Sequence, residues 1–218
     1  MSGKILHLTQ IKEIDMYNLL QHIVDNDVLH AKWLNTLSFM ENAGARKISA
    51  CEHTTDVNLI QLKHAAEEHR HAYYLKKQIA KTNIHTCKTY RTEELIASAC
   101  TRNYLQQLDI YACRYLKNTF GLRNNELKYA AYLFVTYAIE VRADDLYPIY
   151  QQVLDASKSK VMVKSIILEE EGHLEEMIHQ LEGFASDWEV HAKKIQDLEQ
   201  QLFEEWVAAI ALDVKHDE

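Results

Sequence analysis

Read for apolar spacing, the chain is a succession of helices. Residues 9–24 carry Ile11, Ile14, Leu19, Leu20 and Ile23 at helical intervals, and Asp25, Asn26 and Asp27 can end that helix and cap the next. A stripe through Leu34, Leu37, Gly44, Ala45 and Ile48 predicts a helix over 28–50, closed by the turn-forming CEHTTD at 51–56. Gln61, His64, Ala65, Ala72, Leu75 and Ile79 define another over 57–80, which KTNIHTCKTYRT interrupts. A third long segment covers 93–118 and ends in NTFGLRNN, with Gly121 as its terminating glycine. Leu133, Thr136, Tyr137, Ala143 and Tyr147 share one face of a helix over 125–155, in which Pro148 predicts a kink or an end because its ring clashes with the Asp144 carbonyl. After the turn DASKSK comes a helix over 161–181, with Gly183 beyond it, and the capping box Ser186 to Glu189 opens a last helix over 187–212.

Four of these stripes have a glutamate at their centre. Glu41 lies between Leu34, Leu37 and Gly44, Ala45, Ile48; Glu68 between His64, Ala65 and Ala72, Leu75. Glu140 is flanked by Leu133, Thr136, Tyr137 and Ala143, and Glu170 by Val163, Ile166, Ile167, Leu174 and Met177. His71 and His173 follow Glu68 and Glu170 by three residues, on the same faces. A third E-x-x-H, Glu176 with His179, is rotated about 120° off its stripe and reads as a solvated face. Residues that meet across an antiparallel hairpin lie equally far from its turn. Glu41 and Glu68 have their midpoint at 54–55, inside CEHTTD, and Glu140 and Glu170 at 155, the start of DASKSK; both turns are marked by their own composition, independently of the glutamates.

Burying even one unpaired carboxylate is costly enough that the group normally protonates. Four together call for cations. Two divalent metals would balance them, and a carboxylate-rich set with two imidazoles suits iron, or alternatively manganese, better than zinc or copper.

Composition supports the helical reading. With one Pro and five Gly in 218 residues there are few breakers, so the expectation is an all-α chain forming one domain over 1–218. The net charge of −8, without a Lys/Arg block, argues against nucleic acid or an anionic membrane as partner. No apolar run approaches the ~18 residues of a membrane span, so a soluble, cytoplasmic protein is expected. The cysteines at 51, 87, 100 and 113 form no C-x-x-C pair and read as reduced, mostly buried thiols.

The pattern repeats: a lone Glu41, then Glu68-x-x-His71; a lone Glu140, then Glu170-x-x-His173. EEHRH at 67–71 matches the (D/E)-E-x-R-H form of the oxygenase, desaturase and ribonucleotide reductase branches of the ferritin-like di-iron carboxylate superfamily, which the chain resembles over residues 28–182. EEEGH at 169–173 keeps the spacing but has Gly172 in the arginine position. The resemblance implies a four-helix bundle of two antiparallel hairpins, with the 93–118 helix as crossover and extra helices at both ends. It implies Glu41 and His71 as terminal ligands of one metal, Glu140 and His173 of the other, with Glu68 and Glu170 bridging. Glu67 or Arg70 would orient a ligand, and Glu169 and His69 would be outer-shell or surface residues. Asp144, one turn after Glu140, could orient a ligand histidine or meet a freed helix end near Pro148; His64, one turn before Glu68, could be a seventh ligand, a lid or a core histidine. Tyr137, one turn before Glu140, could touch a ligand, hold a radical or simply pack in the core.

The function implied is an O2-activating di-iron oxidase or oxygenase acting on a small organic substrate. The helical crossover, together with Ile48 where ferritin-type sites often carry tyrosine, weighs against the alternative of iron handling. A dimanganese catalase-like enzyme and a non-catalytic bundle whose last helix makes an oligomer or partner contact are the other readings. With no four-cysteine domain in the chain, electrons would come from an external donor. The helix lengths are compatible with a homodimer.

Overall fold

A computed structural model describes residues 14–84 and 86–216. Among them are seven α-helices and no strand: α1 (Met16–Val24), α2 (Asp27–Cys51), α3 (Leu59–Gln78), α4 (Ser98–Phe120), α5 (Asn124–Ala156), α6 (Lys164–Phe184) and α7 (Trp188–His216). No helix among the described residues is long and apolar enough to cross a membrane. The caps follow local chemistry: Asp15, Asn26 and Asn58 each accept backbone N–H bonds from the first turns of α1, α2 and α3. Gly121 ends α4 at φ 70°, a left-handed conformation that a side chain would strain.

Several boundaries differ from the sequence reading. The proposed start of the first helix, at residue 9, lies outside the described residues. The crossover helix begins at Ser98 rather than 93, because α2 holds the preceding segment: Asn35 donates to the carbonyls of Thr89 and Glu94 (2.9 and 2.8 Å), and Thr36 accepts from the Ile96 N–H. Helix α5 runs through Pro148 to Ala156, anchored on both sides of the proline by buried Leu146, Tyr147, Tyr150 and Val153. Helix α6 continues through Gly183, and α7 begins at Trp188, just past Ser186.

The core is in two parts. One apolar cluster gathers Leu34, Leu37, Leu75, Tyr150, Ile166 and Trp206; the other gathers Ile48, Ala65, Leu108, Leu133, Met177 and Leu181. Each long helix passes from one cluster to the other: α2, α4 and α6 in one sense, α3, α5 and α7 in the opposite sense. The α2–α3 and α5–α6 pairs make the most extensive packing in the molecule, as two hairpins whose turns therefore lie at opposite ends. Helix α4 spans about 34 Å at 1.5 Å per residue, which returns the chain to the end where α3 began. Helix α7 packs on α4 and α5 and buries Ala192, Ile195, Trp206 and Ile210 within the chain. The four cysteines are free, Cys51 and Cys87 buried and the other two half-buried.

At one end of the core His30 lies 2.7 Å from the Tyr150 hydroxyl, and burial pushes its imidazole down from 6.5 to about 4. The folded chain keeps it neutral while the unfolded chain takes up a proton near 6.5, so its contribution is complete above 6.5 and is lost as pH falls towards 4, by up to about 3 kcal/mol. Urea denaturation across that range should show a shallower fall for His30→Gln than for the native chain. Equal slopes would mean that His30 does not carry this dependence.

Candidate metal centre

Each central glutamate sits where its helix crosses the gap between the two apolar clusters, and the hairpins bring all four together. Glu41, Glu68, His71 and Glu170 offer ligand atoms within 4.8 Å of one another, and so do His64, Glu68, Glu140 and His173. Glu68 belongs to both groups. Glu170 Oε1 lies 3.1 Å from His71 Nδ1 and Glu170 Oε2 3.1 Å from His173 Nδ1, so this carboxylate also stands between the two halves. His64, one turn before Glu68, points Nε2 at Glu140 Oε1 (2.9 Å), and its ring lies tilted against that of His173, centroids 4.1 Å apart. All of these residues are buried except Glu41, which is half-buried.

Both motif histidines turn Nδ1 inward and Nε2 outward. His71 Nε2 meets Glu169 at 2.7 Å and His173 Nε2 meets Glu67 at 2.9 Å. The support is crossed: the first glutamate of each E-E-x-x-H motif holds the histidine of the other. A carboxylate on the outer nitrogen fixes ring orientation and leaves the inner nitrogen free to ligate. Arg70 forms two hydrogen bonds to Glu169, at 2.8 and 2.6 Å, and lies 3.6 Å from Glu67. On the side where Gly172 replaces an arginine, Lys63 stands 3.8 Å from Glu67 and 2.6 Å from Glu176. Glu176 is thus paired and half-buried rather than simply solvated, whereas His179 and His69 are exposed.

Two candidates stand apart from the cluster. Tyr137 packs edge-on against Trp188, ring centroids 5.5 Å apart, and Asp144 is exposed. Both lie on one flank of α5, about 60° and 40° round from Glu140, a flank turned towards α7 and solvent. Tyr147, about 20° to the other side, takes the part considered for Tyr137: its hydroxyl donates to Glu41. Its place in the Glu140 stripe is visible in the sequence; that it reaches across to α2 is not. Tyr132 packs edge-on to His64, 6.2 Å between centroids.

The electrostatics of the cluster suit positive charge at its centre. Burial, then the charges of Glu170, Glu41 and Glu140, hold the Glu68 carboxyl well above the carboxylate range, and burial followed by Glu140 raises that of Glu170. Burial opposes a charge on His173 and His71, yet Glu140 and Glu170 carry His173 up to about 11, and chiefly Glu170 and Glu41 carry His71 up to about 9. Burial and the neighbouring His173 push His64 down to about 3. Of five buried polar side-chain atoms without a hydrogen bond among the described residues, His64 Nδ1, Glu68 Oε1 and His71 Nδ1 belong to this cluster. His71 Nδ1 is close to Glu170 but out of line for a hydrogen bond. His173 Nδ1 and His64 Nε2 do bond to carboxylates of the cluster, at 3.1 and 2.9 Å, but the three buried atoms left without a hydrogen bond are what a cation would satisfy, and the donor set of four carboxylates and three imidazoles fits two divalent ions.

No family model, curated protein or solved structure matches this chain, so its chemistry has to be read from this geometry.

Equilibrium titration with Fe(II) or Mn(II) should show that Glu68→Ala impairs both metal positions, and that Glu169→Ala and Glu67→Ala each weaken binding by about 10- to 100-fold through the histidine they hold. Asp144→Ala should leave affinity unchanged. A Glu169→Ala variant with native affinity would show that the crossed carboxylates do not orient the ligands.

Proposed function

We infer that the protein is a di-iron carboxylate enzyme of the ferritin-like type, using O2 to oxidise an organic substrate. The observation that carries this reading is an apolar cavity of about 100 Å³ whose wall includes Glu41, Glu68 and Glu140. A centre that only handled iron, or a purely structural bundle, would have no use for an apolar chamber beside its carboxylates. Iron held by Glu41, Glu68, His71, Glu140, Glu170 and His173, with His64 as a further donor, would supply O2 binding and oxidising power.

The chain's own residues supply the rest. Glu67 and Glu169 keep the imidazoles of His173 and His71 oriented. The Tyr147 hydroxyl holds its proton on Glu41, at the cavity wall, where it fixes the carboxylate and stands next to any bound substrate. Leu37, Ile139, Leu146 and Trp206 line that side with hydrocarbon, and a substrate seated there would displace water and strengthen the charge interactions within. A separate donor protein would supply the electrons that O2 reduction requires beyond those taken from the substrate.

The decisive test is metal content followed by anaerobic Fe(II) loading and O2 uptake. About two irons per chain are expected, with O2 consumption that Glu170→Ala abolishes. Two manganese ions with rapid breakdown of H2O2 would replace this reading with a catalase-like one, and no metal uptake would overturn it.

A further inference from the structure

Resting on that reading, we propose that the cavity takes a slim, uncharged aliphatic segment, admitted past Gly44 and Ala143 and laid against the Glu41, Glu68 and Glu140 side of the centre. The cavity lies between α2, α4, α5 and α7, with Glu68 reaching it from α3, and of the clustered side chains only these three carboxylates line it. Glu41 is the least buried of them, so the approach from solvent leads to Glu41 first.

Shape favours a chain over a ring. The cavity, at about 100 Å³, is smaller than the roughly 150 Å³ apolar cavity that holds benzene, so a guest larger than the space has to leave part of itself at the rim. A methylene chain is narrower than a ring and can run from the rim to the carboxylates.

Charge excludes ions. The two cationic side chains of the wall are already committed, Arg142 to Glu199 through two bonds of 2.9 Å and Lys47 to Asp109 at 2.5 Å. An anionic head inside would find no free partner, and two divalent ions would cancel the four carboxylates, leaving no net field to draw an ion in.

Small side chains make the slot. Gly44 follows Glu41 by three residues and Ala143 follows Glu140 by three, so α2 and α5 each place a small residue one turn beyond a ligand and on the cavity wall. A Cβ at Gly44 would meet no atom within 4 Å. An alanine would therefore fit and would favour the helix, and the glycine leaves that space open.

The test uses the full chain, loaded anaerobically with Fe(II) and titrated with 1-hexanol, cyclohexylmethanol and hexanoate. Binding is read by calorimetry and by tryptophan fluorescence, since Trp206 lines the cavity. Hexanol is expected to bind at least about tenfold more tightly than either of the others, and Gly44→Leu or Ala143→Leu to weaken it at least about tenfold, with iron content and melting temperature retained. Gly44→Ala, which meets no clash, guards against misfolding of the larger variants, and Leu168→Ala on the exposed side of α6 should change nothing. Preference for the ring or the carboxylate, or hexanol binding indifferent to both cavity variants, would overturn the proposal. Iron uptake without hexanol binding would overturn it while leaving the di-iron reading intact. Hexanol binding blocked by Gly44→Leu in a chain that takes up no iron would support the aliphatic cavity and overturn the di-iron reading instead.

Discussion

Four carboxylates in the middle of a helical core are the constraint from which the rest of this molecule follows. Charged groups are tolerated there only when counter-charge and hydrogen bonds surround them on every side. The fold answers by dividing its apolar interior in two, so that each of α2, α3, α5 and α6 buries hydrophobic side chains at both ends and presents its glutamate in the gap. The apolar clusters hold the helices in register, and the register brings the carboxylates within reach of a shared cation.

The candidate centre has two unlike sides. Towards the α3 and α6 surface stand the histidines, backed by Glu67, Glu169, Arg70 and Lys63 in a hydrogen-bonded layer that fixes ring orientation. Towards α4 and α7 stand the carboxylates of Glu41, Glu68 and Glu140, backed by hydrocarbon. On the proposed reading this separates the positioning of ligands from the handling of substrate: polar support can be dense on one side because the reacting molecule enters on the other.

Helices α4 and α7 therefore do more than connect and close the chain. They carry Tyr104, Leu105, Phe203 and Trp206 into the cavity wall and so turn a groove beside α2 and α5 into a chamber. Their own polar contacts are consolidated by Glu199, which accepts from Tyr104 and Arg142 and so pairs the cationic side chain of Arg142 beside the cavity. Trp206 stacks on Trp33, ring centroids 5.7 Å apart, and ties α7 to α2.

The sequence by itself determined the helices, the two hairpins and which glutamates sit at stripe centres, because helical periodicity is local: Glu41, Glu68, Glu140 and Glu170 can be separated from Glu176 by rotation along one helix alone. It named Glu67, Arg70, Glu169 and His64 as neighbours worth watching, since each is within one turn of a ligand candidate. What it left open were contacts between helices distant in the chain. Tyr147 rather than Tyr137 reaches a ligand candidate, Asp144 faces solvent, and Glu67 and Glu169 exchange histidines across the bundle. The late start of α4 was set by Asn35 and Thr36 on another helix. The cavity belongs wholly to this second class: its walls come from five helices, and only their relative placement decides whether the space beside Gly44 is filled or open. Periodicity fixes which face of a helix is buried; tertiary packing alone fixes what that face meets.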